Sequence, residues 1–394
     1  MNTVAGSSSS SSLFVAVASA AVNNNPPTEA TPSEETKTEK ATETNITTKT
    51  GAREASIGMA TRAETLSLLE VDSAQGDNDM GDGDSGIADI DSSTLSSSVR
   101  SSVYEFIEEN GRTYHRYKEG QYFLPNDESE RERLDLQHQL FLLTFQDQLH
   151  LSPTTEEQLH NVLDIGTGTG IWAIDFALRN PSAHVIGTDL SPIQPSHTPA
   201  NCQFIIEDAQ DPWIFPSHQT FSLIHGRALA SCFTRPQDVL TSAAGHLTPG
   251  TGWLEFQDIV IPMRCIDDSW EGTALQRWNH LMVDCIQRTG RDISYSQRYK
   301  EMFRLAGLVD VHDRHFVWPT NRWCRGEEYK RIATWFLKDM SDGLEAISLQ
   351  ILSRIAGMSR DEIDVFLDEV RKDLANPEYH VYIPVTVTMG RRLA

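Results

Sequence analysis

The chain of 394 residues (44.1 kDa) carries 33 Lys and Arg against 56 Asp and Glu, a formal net charge of −23 with a pI near 4.9. Direct nucleic-acid binding needs clustered positive charge, so this balance argues against it. No run approaches the ~18 apolar residues of a membrane-spanning helix, so no membrane partner is expected. Five cysteines, at 202, 232, 265, 285 and 324, show no CxxC and no zinc-like spacing with histidine. No metal site or disulfide framework is expected, and a reducing compartment fits best.

Residues 1–98 hold 15 acidic and 5 basic side chains and one aromatic, Phe14. Such a stretch buries too little apolar surface to offset the entropy of ordering it. It is expected to be disordered, so that a chain starting near Val99 folds as well as the whole. Leu13 to Val22 is apolar, but the first basic residue is Lys37. Without a positive n-region a secretory signal is not expected. The localisation is therefore cytoplasmic or nuclear.

Globular composition begins at Tyr104. Residues 99–150 form an N-terminal cap, expected to be helical, in which Asp127 opens a helix with an apolar face. Val162 to Ile165 reads as a first strand, followed by the glycine loop Gly166 to Gly170 and a helix that Asn180-Pro181 stops. Further strands follow at His184 to Asp189, Gln203 to Ile206, Phe221 to His225 and Trp253 to Val260. Residues 270–307 are mostly helical, Leu308 to Trp318 is a strand, 327–375 return to helix, and Tyr379 to Met389 is a last strand. Strands alternating with helices predict an α/β fold with a parallel sheet covered on both faces. The main α/β domain is expected over 151–394, with its core at 161–262 and helical additions at 263–307 and 327–375.

The strongest chemical signal is Asp164-x-Gly166-x-Gly168-x-Gly170 at a strand-to-helix turn. Glycines permit the tight turn and a close ligand approach. Position 171 is isoleucine, so the dinucleotide spacing G-x-G-x-x-G fails, and no Gly-Lys-Ser/Thr phosphate loop is present. An acid at the strand end would repel a pyrophosphate but suits a ligand with a positive group, as S-adenosylmethionine has. Asp189 ends the second strand, where a carboxylate accepts from ribose hydroxyls. Asp208 ends the third, where it accepts from an adenine amino group. A lone Asp is more often a turn residue; three at consecutive strand ends are better read as a site.

These residues resemble class I S-adenosylmethionine-dependent methyltransferases over Val162 to about Asp258. A narrower likeness is carried by Glu109-Asn-Gly-Arg-Thr-Tyr-His115-x-Tyr117, Tyr122-x-Leu-Pro-Asn-Asp-Glu128 and Arg133-Leu-Asp-Leu-x-His138. With Ile224-His-Gly-Arg-Ala-Leu229 and Leu254-Glu-Phe-Gln-Asp258, this resembles LaeA-like fungal methyltransferases. That family includes a nuclear regulator of secondary metabolism alongside biosynthetic methyltransferases. The resemblance implies a Rossmann-like seven-stranded sheet and S-adenosyl-L-methionine as cofactor. It places Tyr114, Asp164, Gly166, Thr167, Gly168, Gly170, Asp189, Leu190, Asp208, Ala209 and Arg227 on the cofactor.

His225, at the end of the fourth strand, is the best candidate for a general base, with Glu255 as a second catalytic residue. Each has a plainer reading: His225 bonded to cofactor or backbone, Glu255 in a core network. Arg227 pairs with a carboxylate, either the cofactor's or that of Asp164. Tyr114, Tyr117 and Tyr122 are candidates to close over the cofactor, or are packing. The expected acceptor is a small molecule of secondary metabolism; a regulator with protein partners is the alternative.

Overall fold

The computed structural model of the protein describes residues 69–72, 106–118, 123–216 and 218–394. All of them belong to one compact unit, Ala55–Ala394; a second unit, Met1–Glu54, lies outside the described residues.

The cap is not helical throughout. It opens on an antiparallel hairpin, β1 (Phe106–Glu109) and β2 (Arg112–His115), with Gly111 at φ 78° in the turn. The fork of Arg112 holds both oxygens of Asp127, at 2.5 and 2.8 Å. Asp127 caps helix α1 (Glu128–Thr144) by accepting from the Glu130 N–H. A side-chain acceptor here satisfies a helix-end donor that has no intrahelical partner.

β3 (Asn161–Ile165), β4 (His184–Asp189), β5 (Cys202–Ile206), β6 (Leu223–Arg227) and β7 (Trp253–Ile259) are parallel in the order β5-β4-β3-β6-β7. β10 (Val381–Arg392) then runs antiparallel between β7 and β9 (Leu308–Pro319). That is the expected seven-stranded arrangement. A two-residue strand, β8 (Arg264–Cys265), adds an eighth on β10.

Alternation along the strands sends successive side chains to opposite faces. Val162 packs with Trp172 and Phe176 of α2 (Ile171–Arg179); Leu163 and Ile165 pack on the other face with Val239 and Leu240 of α3 (Pro236–His246). The first face also carries α4 (Ala274–Arg288), α6 (Glu327–Arg354) and α7 (Arg360–Ala375), while α5 (Tyr299–Leu305) lies on the second. Among the described residues, no helix is long and apolar enough to cross a membrane.

The expectation of disorder over 1–98 falls mostly outside the described residues. It fails at Leu69–Asp72, where Leu69 is buried against Val317, Trp323, Cys324 and Tyr382. A buried leucine, two backbone hydrogen bonds and two ion pairs together dock a segment whose average composition is polar. A chain starting at Val99 is therefore expected to melt a few degrees below the full chain. Leucine burial contributes at most ~1.5–3 kcal/mol, and the two backbone hydrogen bonds and two ion pairs roughly 0.5–1.5 each, against ~1–2 per residue ordered, so the net gain is small. Equal melting curves for the two chains would contradict this.

Candidate active site

The turn after β3 is held from below. Thr167 donates its hydroxyl to Asp164 Oδ2 at 2.6 Å and its N–H to the Thr188 carbonyl at 2.9 Å. Gly166, Gly168 and Gly170 sit at φ 64°, 59° and 83°, the left-handed region that strains residues with a Cβ. A Cβ on Gly170 would also lie 2.3 Å from Phe204 Cζ. Gly170 thus shapes the loop and packs it; it does not line the cavity, whereas Gly166 and Gly168 do.

That cavity opens along the carboxyl ends of β3, β4, β5 and β6. Ile165, Leu190, Ala209, Leu229 and Phe233 supply apolar walls. Asp189 Oδ2 accepts from the Gly168 N–H and Oδ1 from the Ser191 N–H, both at 2.8 Å. Each oxygen keeps acceptor capacity for a hydroxyl. Burial pushes the Asp189 carboxyl up to about 6, with the nearby Asp164 charge adding to the rise. Asp208 also lines the cavity: Oδ1 accepts from Gln210 N–H at 2.9 Å and Oδ2 from Lys118 Nζ at 2.6 Å, and each oxygen, as in Asp189, keeps acceptor capacity. Lys118 reaches Asp211 as well, at 2.5 Å. An adenine contact at Asp208 therefore shares the carboxylate with Lys118.

Arg227 lines the cavity at the end of β6. Its Nη2 donates to His138 Nδ1 at 2.9 Å, and His138 Nε2 donates to Asp175 Oδ2 at 3.0 Å. Burial lowers His138 below its ordinary value, so it serves as a neutral relay. Burial likewise lowers Arg227 to about 10. Its guanidinium carbon lies 4.9 Å from the Phe141 ring centroid. The Arg227–Asp164 pairing weighed from sequence is replaced by this relay from α1 and α2.

Asp164, His225 and Glu255 sit side by side, because register pairs Asp164 with His225 and His225 with Glu255. All three lie on the face covered by α2, and Asp164 and His225 line a narrow cleft that shares Gly166, Gly168 and Arg227 with the cavity along the strand ends. His225 is 0% exposed; its ring stacks on Trp172 at 3.7 Å and its Nδ1 lies 2.7 Å from Asp164 Oδ1. Its Nε2 is buried beside the narrow cleft that Gln137, Thr167 and Arg227 also line. Glu255 is also 0% exposed and accepts from Leu151 N–H and Ser152 N–H at 2.9 and 2.6 Å, and from Gln257 Nε2 at 2.8 Å. A base must reach the proton it removes. His225 presents only its Nε2 to that cleft, and Glu255 has both oxygens held by the backbone of Leu151 and Ser152 and by Gln257, which fits the plainer reading of a core network for Glu255.

Tyr114 lies away from this cavity. It is 4% exposed and absent from the cavity wall, and burial pushes its phenol up to about 12. Tyr117 gives its carbonyl to His115 Nδ1 at 2.6 Å; Tyr122 lies outside the described residues. Replacing Tyr114 by alanine is expected to destabilise the fold by about 3 kcal/mol, within the range for a buried aromatic. Chemical denaturation measures this, and an unchanged midpoint would contradict it.

The residues missed from sequence are Lys118, Asn126, Leu134 and His138 from the cap, and Cys232 and Phe233 from the loop after β6. Most of the first group lay inside the Glu109 to His138 block but had been given no role. In the loop after β6, Ala228 and Ser231 have φ 55° and 75°. Asp258 braces it by accepting from the Ala230 N–H at 2.9 Å and the Tyr299 hydroxyl at 2.6 Å. Burial pushes Asp258 up to about 7. Among the described residues, no cluster of His, Cys, Asp or Glu is placed to hold a metal.

Comparison with known proteins agrees with this geometry. The family described as "Methyltransferase domain" matches residues 136–313. The chain is 33% identical over 289 residues to the secondary metabolism regulator LAE1 of Cochliobolus heterostrophus, covering 72% of this chain and 94% of that one. It is 36% identical over 290 residues to the secondary metabolism regulator laeA of Aspergillus niger, covering 73% and 76%. It is 34% identical over 299 residues to the protein-methionine methyltransferase laeA of Emericella nidulans, covering 75% and 79%.

Proposed function

As the chain belongs to the LaeA-like family of class I S-adenosylmethionine-dependent methyltransferases, we propose that it methylates a protein side chain in the control of secondary metabolism. The observation that supports the site is the cavity joining Gly166, Gly168, Asp189 and Arg227 at the sheet edge. The protein acceptor is favoured over the small molecule expected from sequence by the relatives, which are named regulators, one of them a protein-methionine methyltransferase.

The residues present fit the cofactor. A carboxylate with spare acceptor capacity suits a ribose, a buried cation suits an amino-acid carboxylate, and the apolar walls suit an adenine. Gly166 and Gly168 keep the floor open to close approach. When bound, S-adenosylmethionine supplies a methyl group already activated by its sulfonium charge. Asp189 and Arg227 fix the donor at its two polar ends, and the loop from Ala228 to Phe233 sets the wall beside it. Orientation of this kind can supply up to ~7–11 kcal/mol of the barrier, so no general base is required of the chain.

Untargeted metabolite profiling of a strain lacking the protein tests the role. Loss of products from several unrelated pathways is expected. Loss of a single methylated product, with its unmethylated precursor accumulating, would instead identify a biosynthetic enzyme with a small-molecule acceptor.

A further inference from the structure

Leu69–Asp72 dock on the face of the β9–β10 ribbon opposite the one on which Trp318, Val381 and Ile383 join the core. Leu69, 6% exposed, enters a small nest of Val317, Trp323, Cys324 and Tyr382. Val71 forms an antiparallel bridge with Cys324. The Arg325 N–H donates to the Glu70 carbonyl at 2.7 Å, and the Asp72 N–H to the Trp323 carbonyl at 3.0 Å. Glu70 pairs with Arg325 at 2.6 Å, and Asp72 with Lys330 at the start of α6.

The receiving turn is built without help from this segment. Asn321 donates its side-chain amide to the carbonyls of Leu374 and Asn376, at 3.0 and 2.9 Å. Its Oδ1 accepts from the Trp323 N–H at 3.1 Å, and Trp323 Nε1 donates to the Val381 carbonyl at 2.9 Å. The shape of the turn is thus fixed by β10 and the end of α7. A pre-formed edge with an apolar nest and two cations is the pattern of strand addition: backbone bonds supply affinity, and alternate side chains supply specificity.

We propose that the turn Asn321–Gly326, with Lys330, is a docking site for an extended peptide that carries one buried aliphatic anchor and acids one and three residues after it. Its occupant is the chain's own Leu69–Asp72. The four residues read Leu-Glu-Val-Asp, and they meet the turn with two backbone hydrogen bonds and two ion pairs. Both side chains of the acid pair face cations, and Lys330 also has Glu327 at 3.9 Å. The contact is a separable motif–groove interaction and not a continuation of the core.

The test uses the full chain and a labelled synthetic peptide of residues 64–76. Leu69→Asp with Asp72→Pro removes the anchor, the Asp72 N–H and its charge, and so frees the groove. The freed chain should bind the peptide saturably by fluorescence anisotropy. Wild type should bind it about tenfold more weakly, because the linked segment competes at a high effective concentration. Lys330→Glu in the freed chain should abolish binding. Hydrogen exchange supplies a readout that needs no added ligand: the Arg325 amide should lose protection in the freed chain and regain it with peptide. The proposal is overturned if the peptide binds neither chain, if Lys330→Glu leaves binding intact, or if Arg325 protection is the same in both chains.

Discussion

Replacing Asp189 by alanine is expected to weaken S-adenosylmethionine binding roughly ten- to a hundredfold. Hydrogen bonds to a charged acceptor are worth ~1.5–3 kcal/mol, and every 1.4 kcal/mol is about tenfold in affinity. The wild-type protein should also show a pH dependence of known sign. The Asp189 carboxyl is pushed up to about 6. Hydroxyl donors favour the ionised form, so affinity should be level above pH 6 and fall as pH drops through it. Asp189→Ala should lose that dependence along with the affinity. The same raised value opposes stability: the ionised, buried carboxylate is disfavoured above its unfolded value near 3.9, increasingly up to about 6. Calorimetric titration at several pH values measures both effects. Unchanged affinity in a folded Asp189→Ala protein would remove the ribose assignment.

The second large effect is on stability. Glu255→Ala should cost about 2–5 kcal/mol, because each buried donor left without its acceptor costs about 1–3 kcal/mol. The Leu151 and Ser152 N–H groups and the Gln257 amide would be left in the interior facing a void. A fall in Tm on the order of 10 °C is expected for a chain of this size. At a temperature where the variant stays folded, S-adenosylmethionine affinity should be close to wild type. A specific loss of turnover with unchanged Tm would give Glu255 a catalytic role.

The frame of the molecule is legible in the sequence because its signals are local. Asp127 before an acidic first turn, the glycines after Ile165 and the acids at the ends of β4 and β5 each announce their place without knowledge of neighbours. The gaps come from direction and from distance. His225 looks like a strand end, but β6 continues two residues to Arg227. Period-two alternation puts His225 and Arg227 on one face, under α1 and α2, and Arg227 lines the cavity because it stands at the very end of the strand. Counting alternation from Leu223 would have shown that His225 shares a face with Leu223, a core position. The Arg227–His138–Asp175 relay joins three elements far apart in the chain, and no spacing encodes it. Leu69–Asp72 were lost in the average composition of a polar stretch, where one leucine and two backbone hydrogen bonds outweigh the neighbours.

A crystal structure of the full chain with S-adenosylhomocysteine tests the central claim most directly. The ribose hydroxyls should lie within hydrogen-bond distance of the Asp189 carboxylate, with the adenine beside Ala209 and the amino-acid carboxylate toward Arg227. His225 and Glu255 should remain buried and out of contact with the ligand. A nucleoside bound elsewhere on the molecule, or a sulfur facing His225 with its imidazole turned out from Trp172, would contradict the account.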